Sequence, residues 1–507
     1  MKFDRTRNAK KTIVSGFLVK TISVIVPFVM RTIIIHTLGN LYLGLGSLFS
    51  AVLNALSLAE LGVGSALVFS MYKPVAENDT TKVCALLNVY KKIYFFIGCA
   101  ILAIGLLLIP FLPKLISGDY PGDINIYTLY IIQLISTISG YFLFAYRGSV
   151  LTAYQRVDLI NMVTFITEMA MYALQIIALV FFKNYYIYVC LILVRTIAFN
   201  GVVYLIAKRK YPYIKAVGNI DKATKTEVIR KIGALTGHKI AEVVVNSTDN
   251  ILISMFIGLN MVAIYNNYYY VVTAISGILM TAFTGLISIV GNYLISETSK
   301  KVNDLFDVLS YINAFVVAVC CTSFINMYQP FITIWTGKDN LFPMYMVILF
   351  SAYFYILRIR TVISLFCNAA GIWEKDLRKA YIMTLINLLI DITLMPIIGI
   401  PAALISTIVS MIFAFIYETF VIHKYVLKKD IKNYCLKNIL YLMSIILATL
   451  LSLLIMPMYE SVGNIGRLII GAVVSIIISV VCFLGLTFKC KEFSESIVFI
   501  KRKIRRL

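Results

Sequence analysis

Long apolar segments separated by short polar ones recur along the whole chain. A helix that crosses a bilayer needs about 20 mainly apolar residues, and fourteen segments meet that requirement. Their limits, set by prolines, glycines and clusters of charge, are roughly 12–36, 42–70, 93–112, 126–146, 159–181, 186–207, 240–259, 263–290, 308–328, 342–366, 380–396, 401–422, 438–457 and 467–488. The pattern predicts an all-α polytopic membrane protein with fourteen transmembrane helices.

Composition excludes two broad alternatives. Of the 507 residues, 60% are hydrophobic and 14% are charged, whereas soluble domains are about half apolar and about a quarter charged. A soluble enzyme does not fit these values, and neither does a disordered chain, which needs low hydrophobicity. The chain has 46 Lys and Arg against 24 Asp and Glu, a net charge of +22. In a soluble protein that excess would suggest nucleic-acid binding, so the distribution of the charges decides its meaning.

The positive charges separate by side of the membrane. If the amino terminus is cytoplasmic, 37 of the 46 Lys and Arg fall in inner segments, 4 in outer loops and 5 within spans. Because inner loops carry the excess of Lys and Arg in membrane proteins, both termini are predicted to be cytoplasmic, and no nucleic-acid partner is expected. The nine cysteines lie in spans or inner segments without a CxxC motif. Neither a disulfide framework nor a metal site is therefore predicted.

Two inner segments recur at a nearly constant offset. Residues 77–83 resemble 297–302 at an offset of 220, and residues 153–158 resemble 370–376 at an offset of 217. The repeat predicts two parallel six-helix halves plus two extra C-terminal helices, an architecture of transporters that places the substrate between the halves. The predicted parts are an N-terminal six-helix half at 1–207, a cytoplasmic basic linker along the membrane surface at 208–239, a C-terminal six-helix half at 240–427, and helices 13 and 14 with a basic cytoplasmic tail at 428–507.

Short motifs in both halves carry a family resemblance. They are AELGVGSA at 59–66, YKP at 72–74, STDNILI at 247–253, IYNNY at 264–268, PFI at 330–332 and IWTG at 334–337. With its six, six and two spans, the chain resembles the polysaccharide-transport branch of the multidrug/oligosaccharidyl-lipid/polysaccharide (MOP) exporter superfamily, which includes flippases of O-antigen and capsule repeat units.

The resemblance implies a flippase of the bacterial cytoplasmic membrane. Such a protein moves an undecaprenyl-diphosphate-linked oligosaccharide from the inner to the outer leaflet, for lipopolysaccharide O-antigen, capsule or exopolysaccharide assembly. Alternating access is then expected to be driven by a proton or sodium gradient, without a cofactor. The expected partners are the polyprenyl-diphosphate-linked oligosaccharide, membrane lipids and other polysaccharide-assembly membrane proteins.

Five cations inside the spans are the candidate substrate site. Charges in the bilayer are costly unless they face protein or water, which makes them functional candidates. The predicted cationic chamber, which would hold a diphosphate by charge-assisted hydrogen bonds, consists of Lys20, Arg31, Arg195, Arg358 and Arg360. Lys20 and Arg31 share one face of the first span, and Arg358 and Arg360 point about 200° apart. The alternatives are structural pairing with carboxylates of the spans and, for Lys20, snorkelling to the membrane surface.

Three carboxylates are the candidate coupling residues: Glu60, Asp249 and Asp391. A buried carboxylate can exchange a proton or bind sodium as a cavity opens to each side, whereas the alternative is a salt bridge or a cap between helices. A second candidate set, a glycan guide of Tyr265, Asn266 and Tyr269, lies in the aromatic run that opens the eighth span. The alternative for that run is the aromatic belt at the membrane interface.

Two other functions remain open. A multidrug or cation antiporter of the same superfamily usually has twelve spans and an acidic cavity, whereas this chain has two more spans and carries five cations as well as carboxylates within them. A membrane-embedded glycan polymerase or ligase needs active-site residues on sizeable outer loops. The longest outer loops here, 113–125 and 329–341, hold no carboxylate pair or His cluster at catalytic spacing, so a transporter rather than an enzyme is predicted.

Overall fold

The structure, a computed structural model, describes residues 23–60, 62–284, 286–459 and 461–504. Most of them form α-helices joined by short loops, by 3-10 segments and, at His423–Leu427, by a π-helical turn. The helices are α1 (Ser23–Thr37), α2 (Asn40–Leu56), α3 (Val63–Ala76), α4 (Thr80–Leu108), α5 (Ile126–Phe142), α6 (Gly148–Ala153), α7 (Val157–Val180), α8 (Tyr185–Lys210), α9 (Lys222–Phe256), α10 (Leu259–Thr284), α11 (Ile287–Ser296), α12 (Ser299–Thr336), α13 (Met344–Ile359), α14 (Thr361–Ala370), α15 (Trp373–Ile398), α16 (Pro401–Ile422), α17 (Ile431–Ile455), α18 (Asn464–Thr487) and α19 (Lys491–Ile504).

The helices confirm an all-α multi-pass membrane protein. Within the described ranges, nine helices are long and apolar enough to cross a bilayer, and ten if α5 and the segment Ala145–Ala153, bent by 43°, form one span. The shorter apolar helices α1 and α2 lie at the first two predicted spans. Of the first span, 12–36, the structure describes only the part from Ser23, so Lys20 lies outside the described residues.

The second, eighth and tenth predicted spans are each interrupted by a break in the helix. The second, 42–70, ends its first helix at Leu56, makes a 3-10 turn at Ser57–Glu60 and resumes at Val63, after Gly62 with a φ of +98°. Glycine reaches this left-handed backbone without the steric cost that other residues meet. The eighth span is interrupted between α10 and α11, and the tenth at Arg360, between α13 and α14. Irregular backbone at membrane depth is tolerated where protein surrounds it.

The chain divides into two compact units, Met1–Ala263 and Ile264–Leu507. In the first unit, a continuous apolar core joins α2 to α5 with α7 and α8. The seventh predicted span also belongs to this unit, because α9 packs against α2 and α3. Gly44 of α2 permits a close approach to the first residue of α10, since a Cβ atom would lie 2.0 Å from the carbonyl oxygen of Leu259. The parallel relation of the two halves stays a prediction.

The predicted linker 208–239 consists of two parts. Helix α8 continues to Lys210, and the loop after it is held to the first unit. Arg147 donates to the Ile214 carbonyl at 2.7 Å, and Asn88 donates to the Gly218 carbonyl at 2.8 Å. From Lys222 the chain is helical to Phe256 without a break. The amphipathic stretch that begins near Asp221 is therefore continuous with the helix of the seventh span, and its place along the membrane surface stays a prediction.

In the second unit, the 38-residue helix α12 is the central element. Helices α13, α17 and α18 all pack against it. Asn326 of α12 donates to Ser475 of α18 at 2.7 Å and accepts from Tyr459 at 3.0 Å. The two helices beyond the predicted repeat are thus built into the second unit through polar and small residues, as is common between membrane helices.

Candidate functional site

Arg195 and Glu168 form an ion pair between α8 and α7. The guanidinium Nη2 donates to a carboxylate oxygen at 2.9 Å, and both side chains are partly buried. The ring of Phe199 covers the guanidinium, with its centroid 5.2 Å away. Arg195, a predicted substrate contact, therefore has a carboxylate partner that neutralises its charge in this conformation.

Arg31 lies on α1, within the first unit. The apolar side of α1 contacts Tyr172 and Ile176 of α7 and Tyr188 of α8. Arg31 is partly buried and close enough to Tyr188 for an electrostatic interaction. The structure thus places this cation at a packed interface between three helices.

A three-residue charge cluster holds the break between α13 and α14 against two other helices. Arg360, at the break itself, makes a bidentate contact with Glu418 of α16 through Nε at 3.0 Å and Nη2 at 2.8 Å. Lys379 of α15 donates to the same carboxylate. Glu418 is 4% exposed, so two cations and four helices enclose one buried negative charge. This arrangement is the structural pairing that the sequence left open as the alternative for Arg360.

Arg358, two residues earlier, has a different environment. It is 8% exposed, and its Nη1 is 3.5 Å from the Ser276 carbonyl oxygen, a long contact for a hydrogen bond. Asn313 of α12 donates to the Arg358 carbonyl at 2.9 Å and so fixes its backbone. The Nε of Arg358 and the Oγ of Ser276 are both buried without a hydrogen-bond partner. Among the described residues, no carboxylate lies within ion-pair distance of Arg358.

Glu60 occupies the break in the second span. Its two carboxylate oxygens accept hydrogen bonds from Tyr94 of α4 and Tyr141 of α5. Tyr90 donates in turn to the Tyr94 hydroxyl at 3.1 Å. The three tyrosine rings pack on one another, so this carboxylate is held by phenolic donors at the point where the helix is interrupted.

Asp249 and Asp391 are both buried, in different units. Asp249 lies on α9, within the first unit. Asp391 is 0% exposed on α15, which packs against α16. One turn earlier, on the same face, Asn387 donates to Ser406 at 3.0 Å and to Thr407 at 3.2 Å. That face of α15 therefore presents a carboxylate and an amide to the hydroxyl side of α16.

The aromatic run of the eighth span is largely interior. Tyr265 and Asn266 are buried, and Tyr269 is partly buried. Tyr265 stacks on Tyr269, whose hydroxyl accepts from Tyr353 at 3.2 Å. The Tyr265 ring is therefore packed within the second unit, and of the three predicted glycan-guide residues Tyr269 retains the most exposure.

Several residues that contact the buried carboxylates are not predicted from the sequence. Tyr94 and Tyr141 bind Glu60 from helices that are distant in sequence, and no local pattern marks them. Lys379 was assigned to an inner segment, but it directly precedes the apolar run 380–396, and its long side chain reaches the buried Glu418. Across the described residues, no group of three or more His, Cys, Asp or Glu side chains is arranged to hold a metal ion.

The fold and the buried charges define a class of protein, a polytopic membrane transporter. The chain belongs to the family of polysaccharide biosynthesis proteins, which matches residues 9–287, and with it to the MOP superfamily. The predicted resemblance is thereby confirmed. No curated protein sequence matches the chain.

Solved structures of the superfamily share the fold. The lipid II flippase MurJ, in an inward closed conformation, matches 93% of this chain and 98% of its own, with a TM-score of 0.64 and 16% identity. An inward-facing multidrug resistance MATE transporter matches 82% and 99%, with a TM-score of 0.60 and 14% identity. A MOP transporter from Pyrococcus furiosus, described as having a binding pocket of reverse polarity, matches 83% and 97%, with a TM-score of 0.51 and 14% identity.

Proposed function

We propose that this protein is a flippase for a polyprenyl-diphosphate-linked oligosaccharide, the undecaprenyl-linked repeat unit of a surface polysaccharide. It carries the repeat unit from the inner to the outer leaflet of the bacterial cytoplasmic membrane. Membership of a polysaccharide biosynthesis family supports a glycan cargo. Similarity in fold to a lipid II flippase supports a cargo with a lipid tail. Other membrane proteins of polysaccharide assembly are the expected partners at the outer leaflet.

The proposal rests on the burial of Arg358 without a carboxylate partner among the described residues. A buried charge without a counter-ion is costly, and intramembrane charges that persist mark the path of a substrate. Arg195 and Arg360 each have a carboxylate partner, whereas Arg358 has none within the described residues. A diphosphate supplies the missing negative charge, and a guanidinium binds phosphate through two parallel hydrogen bonds.

Reconstitution tests the proposed cargo directly. The purified protein is placed in proteoliposomes that contain a fluorescent polyprenyl-diphosphate oligosaccharide, and dithionite added outside quenches the probe in the outer leaflet. The expected result is an accelerated loss of protected fluorescence compared with protein-free vesicles. The same vesicles loaded with ethidium test the multidrug antiporter. Ethidium transport without movement of the lipid-linked probe would reject the flippase and favour the antiporter.

We further propose that transport is coupled to a proton or sodium gradient at Asp391. Full burial of a carboxylate beside the Asn387 amide and the hydroxyls of α16 provides oxygen ligands for a small cation or an acceptor for a proton. Glu60 and Asp249 are the corresponding candidates in the first unit. The flipping assay is repeated with a sodium gradient, a pH gradient and neither. Equal rates under all three conditions would reject coupling.

The orientation is a separate proposal, with residues 208–239 and the segment from Lys489 in the cytoplasm. A single cysteine at position 222, on a background without native cysteines, is expected to react only after the inner face becomes accessible. Labelling of that cysteine by an impermeant reagent in intact cells would overturn the orientation from the sixth span onward.

A further inference from the structure

Helix α19 begins at the membrane surface, because little chain separates it from the last span. Helix α18 ends at Thr487 and α19 starts at Lys491, with only residues 488–490 between them. Three extended residues reach about 11 Å at most. The headgroup layer on each side of the hydrocarbon core is roughly 5–8 Å thick. The first turn of α19 is therefore confined to the headgroup layer or its immediate edge.

One side of α19 is fastened to the second unit. Glu492 accepts a hydrogen bond from Lys437 of α17, and Lys491 lies 3.3 Å from Asp304 of α12. Ser496, one turn further, is buried. Phe499 packs against the apolar cluster that α12 and α14 share. These contacts fix which side of the helix faces outward.

The outward side combines apolar and basic residues. Ile497 and Val498 are 39% and 48% exposed, and Lys501, one turn later, is exposed without an ion-pair partner among the described residues. In sequence, Lys501 begins the run Lys-Arg-Lys, two more arginines follow at 505 and 506, and no acidic residue occurs after Glu495. Exposed aliphatic groups beside a basic run are typical of helices that lie in the interface of a membrane with anionic lipids.

We propose that α19 lies in the membrane interface and binds the phosphate headgroups of anionic phospholipids through its basic run, with Ile497 and Val498 inserted among the acyl chains. The short connection to α18 favours a lipid over a soluble acidic partner, because it holds the helix against the bilayer. Each basic residue near an anionic surface contributes about a fivefold increase in affinity. The inference goes beyond transport itself, and assignment of the lipids to the inner leaflet rests on the proposed orientation.

A spin label at position 498 tests the proposal in the full-length protein. Val498→Cys is introduced on a background in which the native cysteines are replaced, and the protein is placed in nanodiscs of phosphatidylcholine with or without phosphatidylglycerol. In the presence of phosphatidylglycerol, the label is expected to become more accessible to oxygen and less accessible to a water-soluble nickel chelate. Salt at 1 M shortens the Debye length to about 3 Å, so it should weaken this shift. Both leaflets of a nanodisc have one composition, so the result is independent of orientation and of flippase activity.

The sequence offers a matched control for the charge. Residues 501–503 and residues 208–210 are both Lys-Arg-Lys. Replacing 501–503 by three glutamines should remove most of the shift, whereas the same replacement at 208–210 should leave it unchanged. The swap K501R/R502K/K503R keeps the charge and should keep the shift.

Three results would overturn the proposal. The first is a label that stays accessible to water in phosphatidylglycerol. The second is a shift that survives the three glutamines at 501–503. The third is an equal shift when inorganic phosphate is added to phosphatidylcholine nanodiscs, because the basic run would then bind a free anion rather than a lipid.

Discussion

The two arginines at the break in the tenth span should differ when their charge is removed. Loss of the charge should lower stability at position 360 and flipping activity at position 358. Arg360 makes two charged hydrogen bonds to Glu418, which is 4% exposed. Loss of one partner from a buried ion pair costs about 3–5 kcal/mol. Since Lys379 still contacts the same carboxylate, Arg360→Met should lie near the lower end, about 3 kcal/mol. Arg358 has no carboxylate partner among the described residues, and its buried charge is itself costly, so Arg358→Met should not lower stability and should raise it in this conformation.

Activity should separate the same two variants. A charge-assisted hydrogen bond contributes about 1.5–3 kcal/mol, so Arg358→Met should slow flipping about 10- to 100-fold without any fall in the thermal unfolding midpoint. Arg360→Met should lower the unfolding midpoint and the amount of protein in the membrane. The assay measures thermal unfolding of each purified variant, then flipping per molecule of inserted protein.

Two outcomes would refute the reasoning. If Arg358→Met unfolds as readily as Arg360→Met, then Arg358 is a structural residue with a counter-ion that this conformation does not display. If Arg358→Met flips the lipid-linked probe at the normal rate, the absence of a carboxylate partner does not mark a cargo contact. The triple variant Arg360→Met, Lys379→Met and Glu418→Leu is the control, because removing all three charges leaves no unpaired buried charge and should restore part of the stability lost by Arg360→Met.

Three further predictions address other parts of the molecule. Arg31→Ala should abolish polymer at the cell surface at normal protein levels. Arg31→Lys should restore only part of it, because an ammonium cannot reproduce the two-point binding of a guanidinium. Normal export by Arg31→Ala in a complementation assay would show that Arg31 is only a packing residue. Asp391→Asn should make flipping insensitive to the imposed gradient, and a retained gradient response would move coupling elsewhere. Gly471→Leu should lower the free energy of unfolding by about 1–3 kcal/mol, because a Cβ atom at that position already lies 3.4 Å from Asn326. Gly485→Ala is the control and should leave the free energy of unfolding unchanged, because its Cβ atom meets no atom within 4 Å.

Much of the architecture followed from local properties of the chain. The positions of the spans could be predicted because each helix satisfies its own backbone hydrogen bonds in the membrane and needs only apolar length. The breaks after Leu56 and at Arg360 could not be placed in the same way. A helix tolerates a break only where other helices surround the freed backbone, and the hydropathy of one segment contains no information about its neighbours.

The buried charges show most clearly what the sequence determined and what only the tertiary structure decided. The sequence by itself determined that cations and carboxylates occur in the spans and that such groups are functional or paired. The tertiary structure decided which of these applies to each residue. Arg358 and Arg360 are two positions apart, yet Glu418, 58 residues after Arg360, reaches only one of them. Lys379 joins the same carboxylate from a third helix. A charge is neutralised by whatever lies within a few ångströms of it, and in this bundle those neighbours come from helices distant in the chain.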